Sequence, residues 1–407
     1  MWKQMGAKIV GKMLCALSSL YKASTGEIIF QNLETMKIVI IVNRLTGGGA
    51  ERVASLWAKG FSQRGHDVTV ITHTKDKHQL TYKLPAKVKL WSIDIPIRNR
   101  IIRGILNRSG LFKAFSYWRL DKILHVIKPD VCIGVLDDYA YRAYQCTRDI
   151  GCKIINTEHN AYDRPDLKEK YPKDIKMKYE TNKLFDAVTV LTKADTMVTG
   201  APKENMFVLP NPLTYNPVCN IPKKDKIILA AGRLDVWYIK GFDLLIEAWG
   251  QIACEYPDWK LQIAGTGGHK ARTHLEHIID KCRVRNQVEF VGFCHNMQEL
   301  YKRASIFVLS SRHEGFGMVL TEAMSQGCAC VACDFGGRQR EIIEDETQGL
   351  VCDNNSIDAI KNALIRFLSD KEYLKLCATN AIKRSAYYSL DNTMDRWETI
   401  LSNIMEK

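Results

Sequence analysis

From Met36 onward, the chain alternates between short apolar runs and longer segments whose apolar residues recur at helical spacing. After Lys37, the first run, residues 37–42, contains only isoleucine and valine. Continuous β-branched runs of about four to eight residues are typical of strands buried on both faces of a parallel sheet. Comparable runs occur at 68–72, 131–135, 153–157, 187–191, 206–209, 226–231, 260–264, 287–293, 305–309, 329–333 and 349–351. The alternation predicts an α/β fold in which helices cover parallel sheets.

A proline-rich stretch divides this pattern into two halves. Pro210, Pro212, Pro217 and Pro222 follow the run at 206–209, and the strand–helix alternation then restarts. The chain has 407 residues, more than a single hydrophobic core usually serves. We therefore expect two domains that are joined by a hinge near these prolines.

The first 35 residues do not follow the pattern of the rest. Met5–Leu20 is mildly amphipathic and carries Lys8 and Lys12, but its apolar core, Met13–Leu17, is short for a signal peptide. Two interpretations remain open: a helix that lies on a membrane surface, or an extension upstream of a true start at Met36.

The strongest chemical signal follows the apolar run at 305–309. Glu314 is placed in the turn between a strand and a helix, and Glu322 about a turn and a half into that helix, which Gly327 ends. Between the two carboxylates lies the helix N-terminus, whose N–H groups and dipole favour a phosphate. Gly315 and Gly317 allow a ligand to approach the backbone closely. An ordinary helix start with a surface glutamate is the alternative explanation.

Further candidate residues also follow predicted strands. Arg233 and Lys240 lie between a strand end and a helix start, where two cations could clamp a diphosphate. His159 follows the run at 153–157, at the edge where ligands gather in open α/β sheets. The glycines of residues 47–49 stand between a strand and a helix, as in phosphate-binding loops, although they lack the G-x-G-x-x-G fingerprint. Surface cations, a structural histidine and a plain turn are the simpler explanations.

Composition narrows the class of protein. Lysine and arginine number 58 against 45 acidic residues, a formal net charge of +13, which favours anionic partners. No stretch approaches the ~18–20 apolar residues of a membrane span. The 13 cysteines are scattered, often within apolar runs, which indicates reduced thiols in a cytosol. We find neither zinc-type Cys/His spacing nor an Asp-x-Asp sequence between a strand and a loop, so we expect no metal.

Residues 97–122 are basic and apolar together. Ile101, Ile102, Ile105 and Leu106 share a helical face, and aromatic residues and further cations follow. One interpretation is an ordinary amphipathic helix that covers a core; another is a surface that binds anionic lipid. A nucleic-acid surface is a third, but no motif of a nucleic-acid-binding fold accompanies it.

Taken in order, these motifs resemble glycosyltransferase family 4, whose members are retaining enzymes of the GT-B architecture. The resemblance covers about residues 36–405 and includes the segment 47–53, Gly232-Arg233-Leu234 with Lys240-Gly241, Gly265-x-Gly267, and the E-x7-E of Glu314 and Glu322. It implies two Rossmann-like domains that face each other across a cleft. Residues 36–212 would bind the acceptor and residues 213–387 the nucleotide sugar, with a helix in 388–407 crossing back to the first domain.

The resemblance also implies roles for individual residues. Arg233 and Lys240 would bind the donor diphosphate. Glu314 and His159 would lie beside the donor sugar, and Glu322 would bind the ribose. Substrate binding would involve Gly48, Gly49, Gly265, Gly267, Phe293, Glu314, Phe316, Gly317, Met318 and Glu322. Arg338 departs from the smaller residues common at its position in the family.

The expected function is a metal-independent, retaining transfer of a hexose or N-acetylhexosamine from a nucleotide-diphosphate sugar, with UDP as the expected nucleotide and no cofactor. The acceptor would be a lipid-linked or growing glycan of a bacterial surface polysaccharide. The protein would lie in the cytoplasm at the inner membrane face, held by residues 97–122, and would bind no nucleic acid. Two alternatives remain: a nucleotide-sugar 2-epimerase of the same architecture, and a non-catalytic protein that binds lipid or polyanions.

Overall fold

Two parallel β-sheets form the framework of the protein. The computed structural model describes residues 35–73, 81–94, 106, 108–162, 172–198 and 203–406. The first sheet has the order β3-β2-β1-β4-β5-β6-β7. Its strands are β1 (Lys37–Val42), β2 (Asp67–Thr72), β3 (Lys89–Ser92), β4 (Val131–Val135), β5 (Lys153–Thr157), β6 (Ala187–Val190) and β7 (Met206–Val208).

The second sheet begins after the proline-rich stretch and has the order β10-β9-β8-β11-β12-β13. Its strands are β8 (Asp225–Ala231), β9 (Lys260–Ala264), β10 (Val288–Gly292), β11 (Ala304–Leu309), β12 (Ala329–Cys333) and β13 (Leu350–Cys352). Every strand pair in both sheets is parallel. The predicted two-domain α/β fold is therefore confirmed.

Helices cover both sheets. In the first domain they are α1 (Gly49–Gln63), α2 (Leu111–Ile127), α3 (Asp137–Cys146), α4 (Pro172–Asn182) and α5 (Lys193–Thr196). The second half contains α6 (Trp237–Lys240), α7 (Phe242–Gly250), α8 (His269–Lys281), α9 (Met297–Arg303), α10 (Met318–Ser325), α11 (Arg338–Ile342), α12 (Ile357–Ser369), α13 (Lys371–Ser385) and α14 (Leu390–Met405). None of the described helices is long and apolar enough to cross a membrane.

The two-residue period of β1 divides its side chains between two cores. Ile38 and Ile40 belong to the cluster formed with α1 and α14, whereas Val39 and Ile41 belong to the cluster formed with α2 and α3. Because helices cover both faces, every residue of β1 after Lys37 is buried. This double burial is the physical reason for the uninterrupted apolar run in the sequence.

The last helix, α14, returns to the first domain, as the resemblance implied. Its Trp397 is fully buried and packs against Trp57 and Phe61 of α1, with ring centroids 5.2 Å and 5.5 Å apart. The packing ties the end of the chain to the domain in which its described part begins.

A buried ion pair joins the two domains beside the cleft. Arg338 of α11 donates to the carboxylate of Asp195 of α5 at 2.7 Å, and each side chain is only 1% exposed. Next to it, the Glu341 carboxylate accepts the N–H groups of Lys193 and Ala194 at the start of α5. Arg338, which departs from the family pattern, therefore has a structural partner in the opposite domain.

Candidate active site

The loops that carry the predicted site residues meet between the two domains. A side chain at Gly315 would place its Cβ 2.8 Å from the backbone nitrogen of Ala161, so only glycine permits this approach of the two backbones. A Cβ at Gly49 would lie 3.7 Å from the Met318 sulfur. The strand-end loops of both sheets thus face one cleft, as in other open α/β folds.

Glu314 lies in the turn between β11 and α10, as predicted. Its Oε2 accepts a hydrogen bond from Lys240 Nζ at 2.7 Å and another from the Ser311 hydroxyl at 3.2 Å. Lys240 ends α6, so a cation from one strand-end loop of the second domain reaches a carboxylate from another. Both side chains remain partly exposed to the cleft.

Glu322, on α10, is surrounded by donors. Its Oε1 accepts from the Arg52 guanidinium and from the Thr214 hydroxyl, both at 2.6 Å, and its Oε2 accepts from the Tyr301 hydroxyl at 3.1 Å. Burial by itself would lower the pKa of Arg52, but Glu322 and Tyr82 beside it raise that pKa above its ordinary value. Burial, followed by the charge of Glu322, raises the pKa of Tyr301, so its hydroxyl stays a donor.

The start of α10 provides backbone donors between these two carboxylates. The helix begins at Met318, directly after Phe316 and Gly317. The first N–H groups of a helix have no intrahelical partner and carry partial positive charge. The Phe316 side chain is buried and packs edge-on against Tyr388, with ring centroids 5.4 Å apart. Only its backbone N–H is therefore a candidate for contact with a ligand.

The glycine loop before α1 binds the carboxylate of Glu51, a residue in the first turn of that helix. The N–H groups of Thr46, Gly47 and Gly48 all donate to Oε2 of Glu51, at 2.8 to 3.0 Å. Glu51 occupies the amide-lined concavity that the strand–glycine–helix pattern predicts as a phosphate-binding loop. The approach of Gly48 and Gly49 to the donor phosphates therefore stays a prediction.

Arg233 and two further glycines lie at the ends of β8 and β9. Gly265 has a φ of +145°, and a Cβ there would lie 1.8 Å from the carbonyl oxygen of Gly232, so glycine allows the two loops to touch. A Cβ at Gly267 would lie 2.7 Å from the Cβ of Leu234. The Arg233 side chain is exposed and makes no ion pair within the described ranges.

His159 lies directly after β5, on the side of the first domain. Burial lowers the pKa of His159 to about 4, an effect that the neighbouring Asn211 side chain partly opposes. The Thr157 hydroxyl donates to Gly134 O and lies 3.1 Å from His159 Nε2, so we assign the proton to Nε2. The neutral ring packs 5.5 Å from the ring of Trp57.

Phe293 follows β10 at the edge of the second sheet. Phe293 is 65% exposed, and its ring contacts the ring of His295 edge-on, with centroids 4.7 Å apart. An exposed aromatic ring at a strand end is able to stack on a planar group such as a nucleobase.

The described parts of the chain contain no group of three or more His, Cys, Asp or Glu residues placed to hold a metal ion. Lys240 and Arg52 place positive charge in the cleft, each beside a glutamate, and Arg233 stays a predicted member of the site. Metal independence and the absence of a cofactor stay predictions.

Two facing Rossmann-like domains with a C-terminal helix that crosses back define a protein of the GT-B architecture. Residues 47–214 match the sequence profile of Glycosyltransferase Family 4, and residues 214–384 match that of Glycosyl transferases group 1. The chain belongs to the family 4 glycosyltransferases. The predicted family is therefore confirmed, and glycosyl transfer is its class of activity.

Among related proteins, an N-acetylgalactosamine-N,N'-diacetylbacillosaminyl-diphospho-undecaprenol 4-alpha-N-acetylgalactosaminyltransferase of Campylobacter jejuni is 31% identical over 366 residues, or 86% of this chain and 94% of the relative. The amylovoran biosynthesis glycosyltransferase AmsD of Erwinia amylovora is 26% identical over 380 residues, or 90% of this chain and 99% of that protein.

Solved structures support the same fold. Sucrose-phosphate synthase from Thermosynechococcus elongatus superposes with a TM-score of 0.75 at 18% identity, over 91% of this chain and 99% of that chain. HepE from Anabaena, in complex with UDP and glucose, gives a TM-score of 0.72 at 18% identity, over 90% and 99% of the two chains.

Sequence reasoning missed the partners of Glu322. Arg52 belongs to the conspicuous segment 47–53, but nothing in that segment indicates a carboxylate 270 positions later. Thr214 stands among the hinge prolines, and Tyr301 within an unremarkable helical pattern. The one feature that could have indicated Arg52 is its residue type, because arginine is suited to buried ion pairs and this one follows a glycine loop.

Proposed function

We propose that the protein is a retaining glycosyltransferase that moves a hexose or N-acetylhexosamine from a UDP-sugar to a lipid-linked or growing glycan of a bacterial surface polysaccharide. The observation that carries the proposal is the pair of Lys240 and Glu314 at the N-terminus of α10. Lys240 of α6 and the helix-end amides of α10 thereby provide a cation and N–H groups for phosphate next to a carboxylate for sugar hydroxyls.

In the proposed reaction, the bond between the donor sugar and its phosphate oxygen breaks with oxocarbenium-like character. Negative charge accumulates on the departing diphosphate, where Arg233, Lys240 and the α10 amides stabilise the transition state more than the ground state. Glu314 holds the sugar, and the departing phosphate takes the proton of the acceptor hydroxyl. Attack on the same face retains the anomeric configuration, and the cations take the charge role of a metal.

The acceptor class is inferred from the relatives. The Campylobacter protein is named for a diphospho-undecaprenol acceptor, and AmsD for amylovoran biosynthesis. A membrane-embedded acceptor of this kind requires the enzyme to reach a lipid surface. The net charge of +13 favours such a surface when it is anionic.

Helix α2 and β3 supply the proposed membrane-facing surface, here called the aromatic groove. Its lining includes Trp91, Phe115 and Trp118, with Arg119 and Lys122 beside them. Trp118 is 54% exposed, and aromatic rings flanked by cations are suited to the interface of an anionic bilayer. Residues 97–105 and 107 of the predicted basic segment lie outside the described residues.

The test of the function begins with thermal shifts in UDP, GDP, ADP, CMP and their common sugars. A ligand at ~100 times its dissociation constant stabilises the folded state by about 2.7 kcal/mol. Selective stabilisation by UDP and its sugars is the expected result. Stabilisation by another nucleotide instead would exclude UDP.

Transfer itself is then measured with the selected donor and an undecaprenyl-diphosphate-linked sugar. We expect a product whose new linkage keeps the donor's anomeric configuration by NMR, and a rate that is unchanged in EDTA. An inverted linkage would contradict the retaining reaction, and loss of activity in EDTA would contradict metal independence. Conversion of the donor alone to its 2-epimer would contradict glycosyl transfer.

A further inference from the structure

The Glu322 carboxylate has little capacity left for a ligand in the described arrangement. Its side chain is 2% exposed. Each carboxylate oxygen offers about two acceptor positions. Oε1 already accepts from Arg52 and Thr214, and Oε2 from Tyr301. Two neighbouring ribose hydroxyls would need one free position on each oxygen, and only Oε2 has one.

Of the three residues that donate hydrogen bonds to Glu322, only Arg52 belongs to the first domain. Tyr301, on α9, is fully buried in the second domain, and Thr214 lies in the segment that joins the domains. Arg52 extends from α1 of the first domain and is 28% exposed. Separation of the domains would withdraw Arg52 and leave one free position on each oxygen of Glu322.

We propose that Arg52 competes with the donor ribose for Glu322 and so weakens the binding of nucleotides that carry both ribose hydroxyls. This inference rests on the proposed function, in which Glu322 binds the ribose. Thr214 and Tyr301 stay in place and hold the carboxylate for the incoming hydroxyls.

The effect of Arg52 on each nucleotide follows from the count of hydrogen bonds. A ribonucleotide that replaces Arg52 fills the freed position on Oε1 and the open position on Oε2. A 2′-deoxynucleotide fills only one of them, so displacing Arg52 would leave a buried acceptor unsatisfied, which is costly. The deoxynucleotide therefore binds with the Arg52–Glu322 ion pair intact, uses only the open position on Oε2, and does not compete with Arg52.

Calorimetric titration of the full chain with UDP, GDP, ADP and their 2′-deoxy counterparts tests the proposal. In Arg52→Gln, we expect the selected ribonucleotide to bind about 3- to 10-fold more tightly, the equivalent of one net hydrogen bond. The 2′-deoxynucleotide should bind as it does to the wild type. The preference for the ribonucleotide therefore increases.

Tyr301→Phe is the matched variant with the opposite expected sign. It removes a group that holds the carboxylate without freeing a position on Oε1, so the ribonucleotide, which needs both oxygens, should bind more weakly and the preference should decrease. Arg64→Gln is the control, since Arg64 pairs with Asp395 and Glu398 of α14 and not with the site. It should leave both affinities unchanged, and the titration stoichiometry reports the folded fraction of each variant.

The outcomes separate this inference from the proposed function. If Glu322→Gln keeps the ribonucleotide preference, the ribose role of Glu322 is wrong, and the competition fails with it. If Glu322→Gln loses the preference but Arg52→Gln binds the ribonucleotide no more tightly than the wild type, the competition alone is wrong. If Arg52→Gln tightens both nucleotides equally, Arg52 does not act through the ribose. Binding of no nucleotide by the wild type would overturn both.

Discussion

Lys240 donates a hydrogen bond to Glu314 at 2.7 Å, so the groups proposed to bind the donor diphosphate and the donor sugar contact each other. The hydrogen bond restricts both side chains: Lys240 orients the carboxylate, and Glu314 limits the conformations of the flexible lysine. A donor that binds here is expected to engage both groups at once.

Glu314→Gln tests this pairing. We expect kcat/KM for transfer to fall about 100-fold or more, because the amide binds sugar hydroxyls less strongly and no longer positions Lys240. Lys240→Met should cause a comparable loss, and the double variant should lose little more than either single one, as expected for residues that act as a unit.

Glu289→Gln is a matched control in the same domain. Glu289 is an exposed residue of β10 that pairs with Gln262, away from the cleft. Its rate should equal that of the wild type. An equal loss of activity in Glu289→Gln and Glu314→Gln, or purely additive losses at Lys240 and Glu314, would contradict the assignment.

The buried ion pair between Arg338 and Asp195 predicts a large loss of stability. Arg338→Ala leaves an uncompensated buried carboxylate, which costs about 3–5 kcal/mol in the free energy of unfolding. Thermal denaturation should show a clear decrease in the midpoint. The matched control is Arg303→Ala, whose partner Asp225 is exposed, with an expected change within about 1 kcal/mol. Equal midpoints for the two variants would show that the pair does not hold the domains together.

The pKa of His159 predicts a pH dependence of stability. Because burial lowers this pKa to about 4, below its ordinary value, the unfolded chain binds a proton near pH 5 that the folded chain does not. Stability is therefore present above the ordinary pKa and is lost as the pH falls from about 6.5 to about 4. Between pH 7 and pH 5, the loss is up to about 2 kcal/mol.

His159→Gln should show a smaller decrease in thermal midpoint between pH 7 and pH 5 than the wild type. His125→Gln is the control, since His125 is exposed and its pKa is raised by hydrogen bonds to Asp149 and Asp121. It should not reduce that decrease. Identical pH profiles of the wild type and His159→Gln would show that the imidazole is not kept neutral.

The aromatic groove predicts membrane binding through α2. Trp118→Ser should weaken binding to vesicles that contain anionic lipid at low salt, because an exposed ring that inserts at the interface is lost. Transfer to a water-soluble acceptor should not change. Tyr387→Ser, which alters an exposed aromatic residue elsewhere, is the control in a vesicle co-sedimentation assay. If the wild type does not bind such vesicles, the membrane part of the proposal is wrong.

Much of the fold could be predicted because a strand that is buried on both faces requires a continuous apolar run in the sequence. The β-branched run of β1 and the glycines around Phe316 stand in the sequence as they do in the structure. The edge strand β3 was missed, since its four residues are polar and apolar together and gain their strand conformation from pairing with β2. The helix α13 was also missed, because its apolar periodicity is weak.

The sequence by itself determined two α/β halves, the proline-rich stretch between them, and the chemical types at each strand end, because hydrophobic periodicity and turn residues act over a few positions. Only the tertiary structure decided which groups meet. Arg52 forms an ion pair with Glu322, 270 positions away in the sequence, and Arg338 forms one with Asp195, 143 positions away. The energy of an ion pair or hydrogen bond depends on ångström-scale distance and on burial. Both are set by how distant segments pack, and no local pattern encodes them.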